Sequence, residues 1–252
     1  MSQQEEVYIH GKHPVIEALQ RKTKEGKFYI QELYLTKQKE QDASLISVIQ
    51  KSGISYKKVT DEEIESRVGR HAVHQGVCAL IDVSSLYSSL EDFLQQNKNE
   101  NPCLILLDEL EDPHNVGAII RSAVAFGASG ILLPEFGQVS VNGTVAKTSA
   151  GTIFSIPLIK IGNVNTTLRD LKEKGYWTYA LTGDGNTSLY KAKFDTPTVI
   201  IVGSEGKGVR EKTEAISDFK LSIPISKECE SLNASNAVAV TLYEWAKQQR
   251  RD

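Results

Sequence analysis

The chain has 252 residues, 40% of them hydrophobic and 24% charged, with a formal net charge of −3 at pH 7. This balance belongs to a soluble globular protein of one large or two modest domains, without the global basic field that nucleic-acid binders often carry. No apolar run approaches the roughly 20 residues that cross a bilayer, and the start MSQQEEVYIHGKH has neither the basic nor the apolar part of a secretory leader, so a cytoplasmic location is expected.

In chain order, the first 83 residues alternate between helical and extended patterns. The patterns predict a helix at Pro14 to Arg21, a strand at Ile30 to Leu35, a helix around Leu45 to Lys51, and strands near Ile54 to Lys58 and Val77 to Ile81. This is enough for a small α/β domain. Residues 84–101 open with the amphipathic LYSSLEDFL and end in the polar QQNKNENP, which reads as a linker.

From residue 102 to 252 strands and helices alternate more regularly. Strands are expected near 103–107, 130–133, 176–181, 198–202 and 219–223, and helices near 116–126, 142–149, 164–174, 207–217 and 233–248. The expected fold is α/β, with a mainly parallel sheet covered on both faces. Cys78, Cys103 and Cys229 are too far apart for a disulfide framework or a zinc site, and read as small core residues. The pairs His10 with His13 and His71 with His74 lack cysteine partners, so no metal is assigned. Any RNA contact must be local, with Lys12, Arg21, Lys22, Lys24, Lys27, Lys57, Lys58, Arg67 and Arg70 as candidates beside the reading of ordinary solvated charge.

Three loops at strand exits carry possible chemistry. LDELEDPHNVGAIIRSAVAFG, from Leu107, places Asn115 and Arg121 at the start of an apolar helix, close enough to face one site. An Arg on such a helix needs an anion or a wet cleft, which leaves a structural ion pair and a functional role both open. GSEGKGVR follows the strand Val199 to Val202, yet Glu205 and Gly208 break the dinucleotide and P-loop patterns respectively. A carboxylate there repels phosphate and suits a cationic or neutral ligand, while a plain tight turn is the alternative. In IPISKECESLNASNAVAVTLYEW, Ser231 and Asn233 precede a helix that either of them can cap.

Taken together, DPHNVGAIIRSA, VGSEGKGVR and IPISKECESLNASNA resemble the three signature motifs of the SpoU/TrmH family of RNA ribose 2'-O-methyltransferases. The opening YIHGKHPVIEAL and the later HQGVCALI resemble the ribosomal-protein-like substrate-binding domain of its ribosomal RNA members. The resemblance implies a SPOUT catalytic domain with a trefoil knot, an exception to the avoidance of threaded chains. It also implies a homodimer whose active site draws on both subunits, and S-adenosylmethionine as cofactor. By resemblance, backbone groups around Leu181, Thr182, Gly203, Ile223 and Leu232 hold the cofactor, and Asn115, Arg121, Glu205, Ser231 and Asn233 occupy the catalytic motif positions. The layout is most like the 23S rRNA guanosine enzymes; a tRNA enzyme of the same family and a non-catalytic ribosome-assembly factor are the alternatives. Lys227 and Asn236 depart from the third motif, which puts cofactor affinity in question more than reaction type.

Overall fold

The computed structural model describes residues 5–249, which fall into two compact units. The first runs to Tyr87 and includes Ser140–Ser155; the second takes Ser88–Val139 and the chain from Ile156 onward.

The first unit opens with a strand that the apolar patterns did not announce, β1 (Glu6–His10), followed by α1 (Lys12–Gln20) and β2 (Ile30–Thr36). Next comes α2 (Ala43–Ser52), capped at its start by the Asp42 carboxylate and closed by Gly53 in the left-handed region. After the short β3 (Lys57–Val59) the chain forms α3 (Asp61–Val68), which hydrophobic periodicity alone does not reveal because only Ile64 is buried. Its warrant is chemical: Thr60 and Glu63 form a reciprocal capping box, and Asp61 and Glu62 add negative charge to the first turn. With β4 (Val77–Asp82) the sheet runs β1-β4-β2-β3, antiparallel except for β2 with β3.

The second unit begins across residues expected as a linker. They carry β5 (Tyr87–Ser88) and α4 (Leu90–Gln96), and α4 buries Phe93 in the core. Then follow β6 (Cys103–Asp108), α5 (Pro113–Phe126) and β7 (Gly130–Pro134). The chain next contributes α6 (Gly143–Thr148) to the first unit and returns with β8 (Leu158–Ile161), α7 (Val164–Glu173), β9 (Trp177–Leu181) and β10 (Thr187–Ser188). It ends with β11 (Thr198–Gly203), α8 (Glu211–Ile216), β12 (Phe219–Ser222) and α9 (Ala234–Gln249).

The eight strands order as β10-β12-β9-β11-β6-β7-β8-β5, with every pairing from β10 to β8 parallel. Every residue of β6, β7 and β11 is buried, as a sheet with helices on both faces requires. The α/β expectation and the parallel sheet are therefore both seen. α5 starts three residues earlier than its apolar pattern, because Asp112 caps it and Pro113 sits in its first turn, where the missing N–H costs nothing. Cys78 and Cys103 lie in the core, whereas Cys229 is exposed on the polar loop before α9, where no strand or helix turns it inward.

Within the first unit, α6 packs on β1. A Cβ at Gly143 would lie 2.5 Å from the Tyr8 carbonyl oxygen, so only glycine allows that approach. Lys147 donates to the Val73 carbonyl at 3.0 Å. His10 is buried beside this helix with Nδ1 unpartnered, and burial, with Lys147 and His74 nearby, lowers its pKa to about 4. Among the described residues, no helix is long and apolar enough to cross a membrane.

Candidate active site

In a parallel sheet all strands end at one edge, and ligands gather there. At that edge β6 and β11 are neighbours, with Asp108 opposite Gly203. The loop leaving β11 doubles back on itself: Gly208 N–H donates to the Ser204 carbonyl at 2.9 Å, and Gly208 takes a φ of 69°. A Cβ at Gly203 would sit 2.0 Å from the Gly208 carbonyl carbon, so the strand can exit beneath its own loop only as glycine.

That loop carries Glu205 to two amides from distant sequence. Asn115, on the first turn of α5, donates through Nδ2 to Glu205 Oε1 at 3.0 Å. Asn233 donates through its own Nδ2 to the same carboxylate oxygen and, at 2.9 Å, to Asn115 Oδ1. Asn233 Oδ1 meanwhile accepts from the Ser235 and Asn236 backbone N–H groups at the start of α9, so Asn233 rather than Ser231 is the cap. Capping fixes which way the amide points, and thereby aims its nitrogen at Glu205. One residue from each motif thus enters a single hydrogen-bonded cluster.

Arg121 and Ser231 stand apart from that cluster. Six residues along a helix amount to about 240° of turn, so Arg121 lies roughly 120° round α5 from Asn115 and does not face the same site within one chain. Asn115 is 5% exposed, while Arg121 is exposed and has no ion-pair partner among the described residues. Ser231 is exposed on the loop, its carbonyl accepting from the Cys229 thiol. Of the two departures in the third motif, Lys227 is exposed, and Asn236 simply supplies a backbone donor to the cap.

Four of the five expected cofactor residues, Leu181, Thr182, Gly203 and Ile223, lie on or just past adjacent strands, whereas Leu232 is on the loop before α9. β12, β9 and β11 are consecutive in the sheet, so Leu181 and Thr182 leave it beside Gly203 and next to the exit of β12 toward Ile223. Leu181, Ile223 and Leu232 are half-buried, and Thr182 Oγ1 is buried with no hydrogen-bond partner among the described residues. A Cβ at Gly185 would lie 2.6 Å from the Lys220 carbonyl oxygen, so the loop after β9 presses on β12.

One pair escaped the sequence reading. Asp108 is fully buried; its Oδ1 accepts from Arg210 Nε at 2.8 Å and its Oδ2 from the Arg210 backbone N–H at 3.1 Å. Glu109 lies 3.2 Å from the same guanidinium, and these hydrogen bonds, Asp108 first, raise the Arg210 pKa. The pair ties the exit of β6 to the far end of the Glu205 loop and so holds the two strands that carry the cluster. The available signal was a lone carboxylate closing the apolar run CLILLD.

Among the basic candidates of the first unit, Lys12, Arg21, Lys57 and Lys58 are tied up in ion pairs with Asp42, Glu17, Glu32 and Glu40. Lys22 lies over the Phe28 ring and Arg67 over the Tyr34 ring. Lys24, Lys27 and Arg70 have no ion-pair partner among the described residues.

The SpoU rRNA Methylase family model matches residues 102–243, more than half of the chain. This chain belongs to the SpoU methylase family. Its first unit matches the RNA 2'-O ribose methyltransferase substrate binding model over residues 8–86. The Bacillus subtilis protein YacO, assigned to the TrmH family of tRNA/rRNA methyltransferases, is 36% identical, covering 97% of this chain and 96% of its own. The 23S rRNA (guanosine-2'-O-)-methyltransferase RlmB of Vibrio parahaemolyticus is 32% identical, covering 96% of this chain and 97% of its own. The SpoU methyltransferase AviRb of Streptomyces viridochromogenes, crystallised with its cofactor AdoMet, shares the fold at a TM-score of 0.79, with 21% identity over 97% of this chain and 90% of that one. The resemblance drawn from the three motifs is thereby borne out.

Proposed function

We propose that this SpoU methylase transfers a methyl group from S-adenosylmethionine to a ribose 2'-hydroxyl of RNA, with a guanosine of 23S rRNA as its substrate. The observation that carries the reading is the cluster Asn115, Glu205 and Asn233, one residue from each motif, set at the exits of two adjacent parallel strands. A ribosomal substrate is favoured by the end-to-end match to RlmB and by the substrate-binding module in front of the catalytic unit. Such a substrate also fits the expected cytoplasmic location.

The half-buried Leu181, Ile223 and Leu232 suit an adenine ring, Thr182 Oγ1 offers an unused polar atom, and Gly203 lets the ligand approach backbone. When bound, S-adenosylmethionine would supply an activated methyl on a sulfonium that departs as a neutral thioether, with the hydroxyl proton lost to solvent. Glu205 gives the site negative charge next to that cation and none that must accommodate a phosphate. The Asn115 and Asn233 amides hold the carboxylate in one orientation, so little reorganisation is left for the transition state. The acceptor hydroxyl must be held near roughly 3 to 3.5 Å from the methyl, and to Ser231 on the flanking loop we assign contact with the ribose or shaping of the cofactor loop. We read the region of β9, β11 and β12, which are neighbours in the sheet, as the site of the family's trefoil knot.

Arg121 completes the site from a partner subunit. α5 and α9 pack against each other and expose Tyr243 and Val240 in the same unit as Arg121, with Tyr243 60% exposed and its ring edge-on to Phe126. A two-fold contact through this apolar strip would cover it and bring an unpaired guanidinium to the neighbouring copy. Being permanently charged, Arg121 acts there by stabilising the developing alkoxide or clamping the adjacent phosphate, with no role as a base.

Mapping 2'-O-methyl sites in ribosomal RNA and tRNA from cells with and without the gene tests the reaction. Loss of one site in 23S rRNA is expected, and unchanged maps would refute the assignment. A solution mass near one chain at micromolar concentration would refute the shared site.

A further inference from the structure

The aromatic side chain most exposed to solvent among the described residues is Phe136, 83% exposed just past the end of β7. It lies within the catalytic unit and plays no part in the cluster, the cofactor residues or the α5–α9 face. Phe136 forms one wall of an open groove of about 710 Å³, lined also by Pro134, Asn163, Asn165, Arg210 and Lys212. β7 is the next strand after β6 in the sheet, so the groove lies at the same carboxyl edge as the Asn115 cluster, one strand farther from the cofactor residues.

The polar groups of the groove are mostly donors, with Glu211 as its one carboxylate. Asn163 spends its Oδ1 on the Thr166 N–H, and Asn165 spends its Oδ1 on the Thr213 hydroxyl, which leaves both amide nitrogens unused. Lys212 is exposed with no ion-pair partner among the described residues, and Arg210, though held by Asp108, keeps its charge at the rim. An exposed ring beside spare N–H donors and an unpaired ammonium matches the chemistry of an unpaired nucleotide: a π-face to stack on, a base edge that accepts, and an anionic phosphate. The exposed ring suits single-stranded RNA better than a duplex, whose bases are already stacked, while the charge serves either.

We propose that this groove binds an unpaired nucleotide flanking the methylated ribose, stacked on Phe136 with its phosphate near Lys212. The inference rests on the RNA methyltransferase reading and adds a subsite to it. The test uses the full-length protein, a fluorescein-labelled 12-nucleotide single-stranded RNA of mixed sequence, and the same sequence as a duplex. Phe136→Ala should weaken single-strand binding roughly 5- to 150-fold, the range of one lost base stack, while leaving cofactor affinity unchanged. Phe136→Trp should retain affinity, and its added indole fluorescence should be quenched by the single strand more than by the duplex. Lys212→Ala should weaken binding and flatten its salt dependence. Unchanged single-strand affinity in Phe136→Ala, or equal quenching by both RNAs, would overturn the subsite while the wild-type activity stands. A shift in the solution mass of Phe136→Ala with RNA affinity intact would assign the groove to a second copy and overturn it equally. Wild-type protein that binds cofactor and neither RNA would overturn the parent reading as well.

Discussion

Asn233→Asp is the most searching perturbation of the site, because it keeps one job of the side chain and reverses the other. An Asp at this position still accepts from the Ser235 and Asn236 N–H groups, and Asp caps a helix as well as Asn does. Its second oxygen, however, replaces the nitrogen that donates to Glu205 and Asn115. Two carboxylates whose charges are about 4 Å apart repel by about 1 kcal/mol in bulk water and about 4 kcal/mol at an effective dielectric of 20. Glu205 and Asn233 both sit on solvent-exposed loops, which favours the lower half of that range, about 1–2 kcal/mol. The lost hydrogen bonds add roughly 1 kcal/mol. Urea unfolding of Asn233→Asp should therefore show a deficit of about 2–3 kcal/mol against wild type at pH 7. The repulsive part of that deficit needs both charges and should shrink in high salt, which screens exposed charges. Asn233→Ala loses cap and hydrogen bonds alike but brings in no second charge, so its deficit should not shrink with salt in that way. Adding Glu205→Gln to Asn233→Asp should restore a donor facing an acceptor and recover stability in a double-mutant cycle. A deficit independent of both salt and Glu205 would refute the shared hydrogen-bond geometry.

Three further outcomes are expected. Arg121→Lys should lower kcat on the order of 100-fold or more with cofactor affinity intact, since a lysine lacks the planar fork; near-normal turnover would remove the electrostatic role. Gly203→Ala must displace the Gly208 carbonyl, so a loss of about 3 kcal/mol, or roughly 6–12 °C in Tm, and of cofactor binding is expected, checked by thermal unfolding with and without ligand. His10 titrates near 6.5 when unfolded and about 4 when folded, so the unfolded chain takes up the proton first. The stability its burial protects is complete above about pH 6.5 and falls away towards pH 4, and His10→Gln should flatten that part of the pH–stability curve.

How much of this was legible beforehand depended on the kind of signal. Buried parallel strands such as Cys103–Asp108 and Thr198–Gly203 announce themselves as unbroken apolar runs, and the helices of the second unit show clear periodicity. β1 and α3 did not, the first because Glu6–His10 is half polar, the second because its evidence is a capping box around one buried Ile64. For the site, the three motifs identified Asn115, Glu205 and Asn233, but nothing in their spacing says that one amide would serve both a helix and a carboxylate. The expectation that Arg121 and Asn115 face one site failed within a single chain on the helical angle between them. Asp108 and Arg210, 102 residues apart, meet only because β6 and β11 are neighbours in the sheet.

The lending of Ser140–Ser155 to the first unit has a consequence for how the protein is made and cut. A fragment ending at the apparent boundary near residue 100 would lack the helix that covers β1, leaving His10 and the Tyr8 carbonyl facing water. A fragment starting there would carry Val145 and Ala146 with nothing to bury them. During synthesis, the first unit gains its last element only once residue 155 has left the ribosome, by which time β6, α5 and β7 of the second unit are already outside. The substrate-binding module is therefore a late arrival in its own fold, completed by residues encoded in the middle of the methylase.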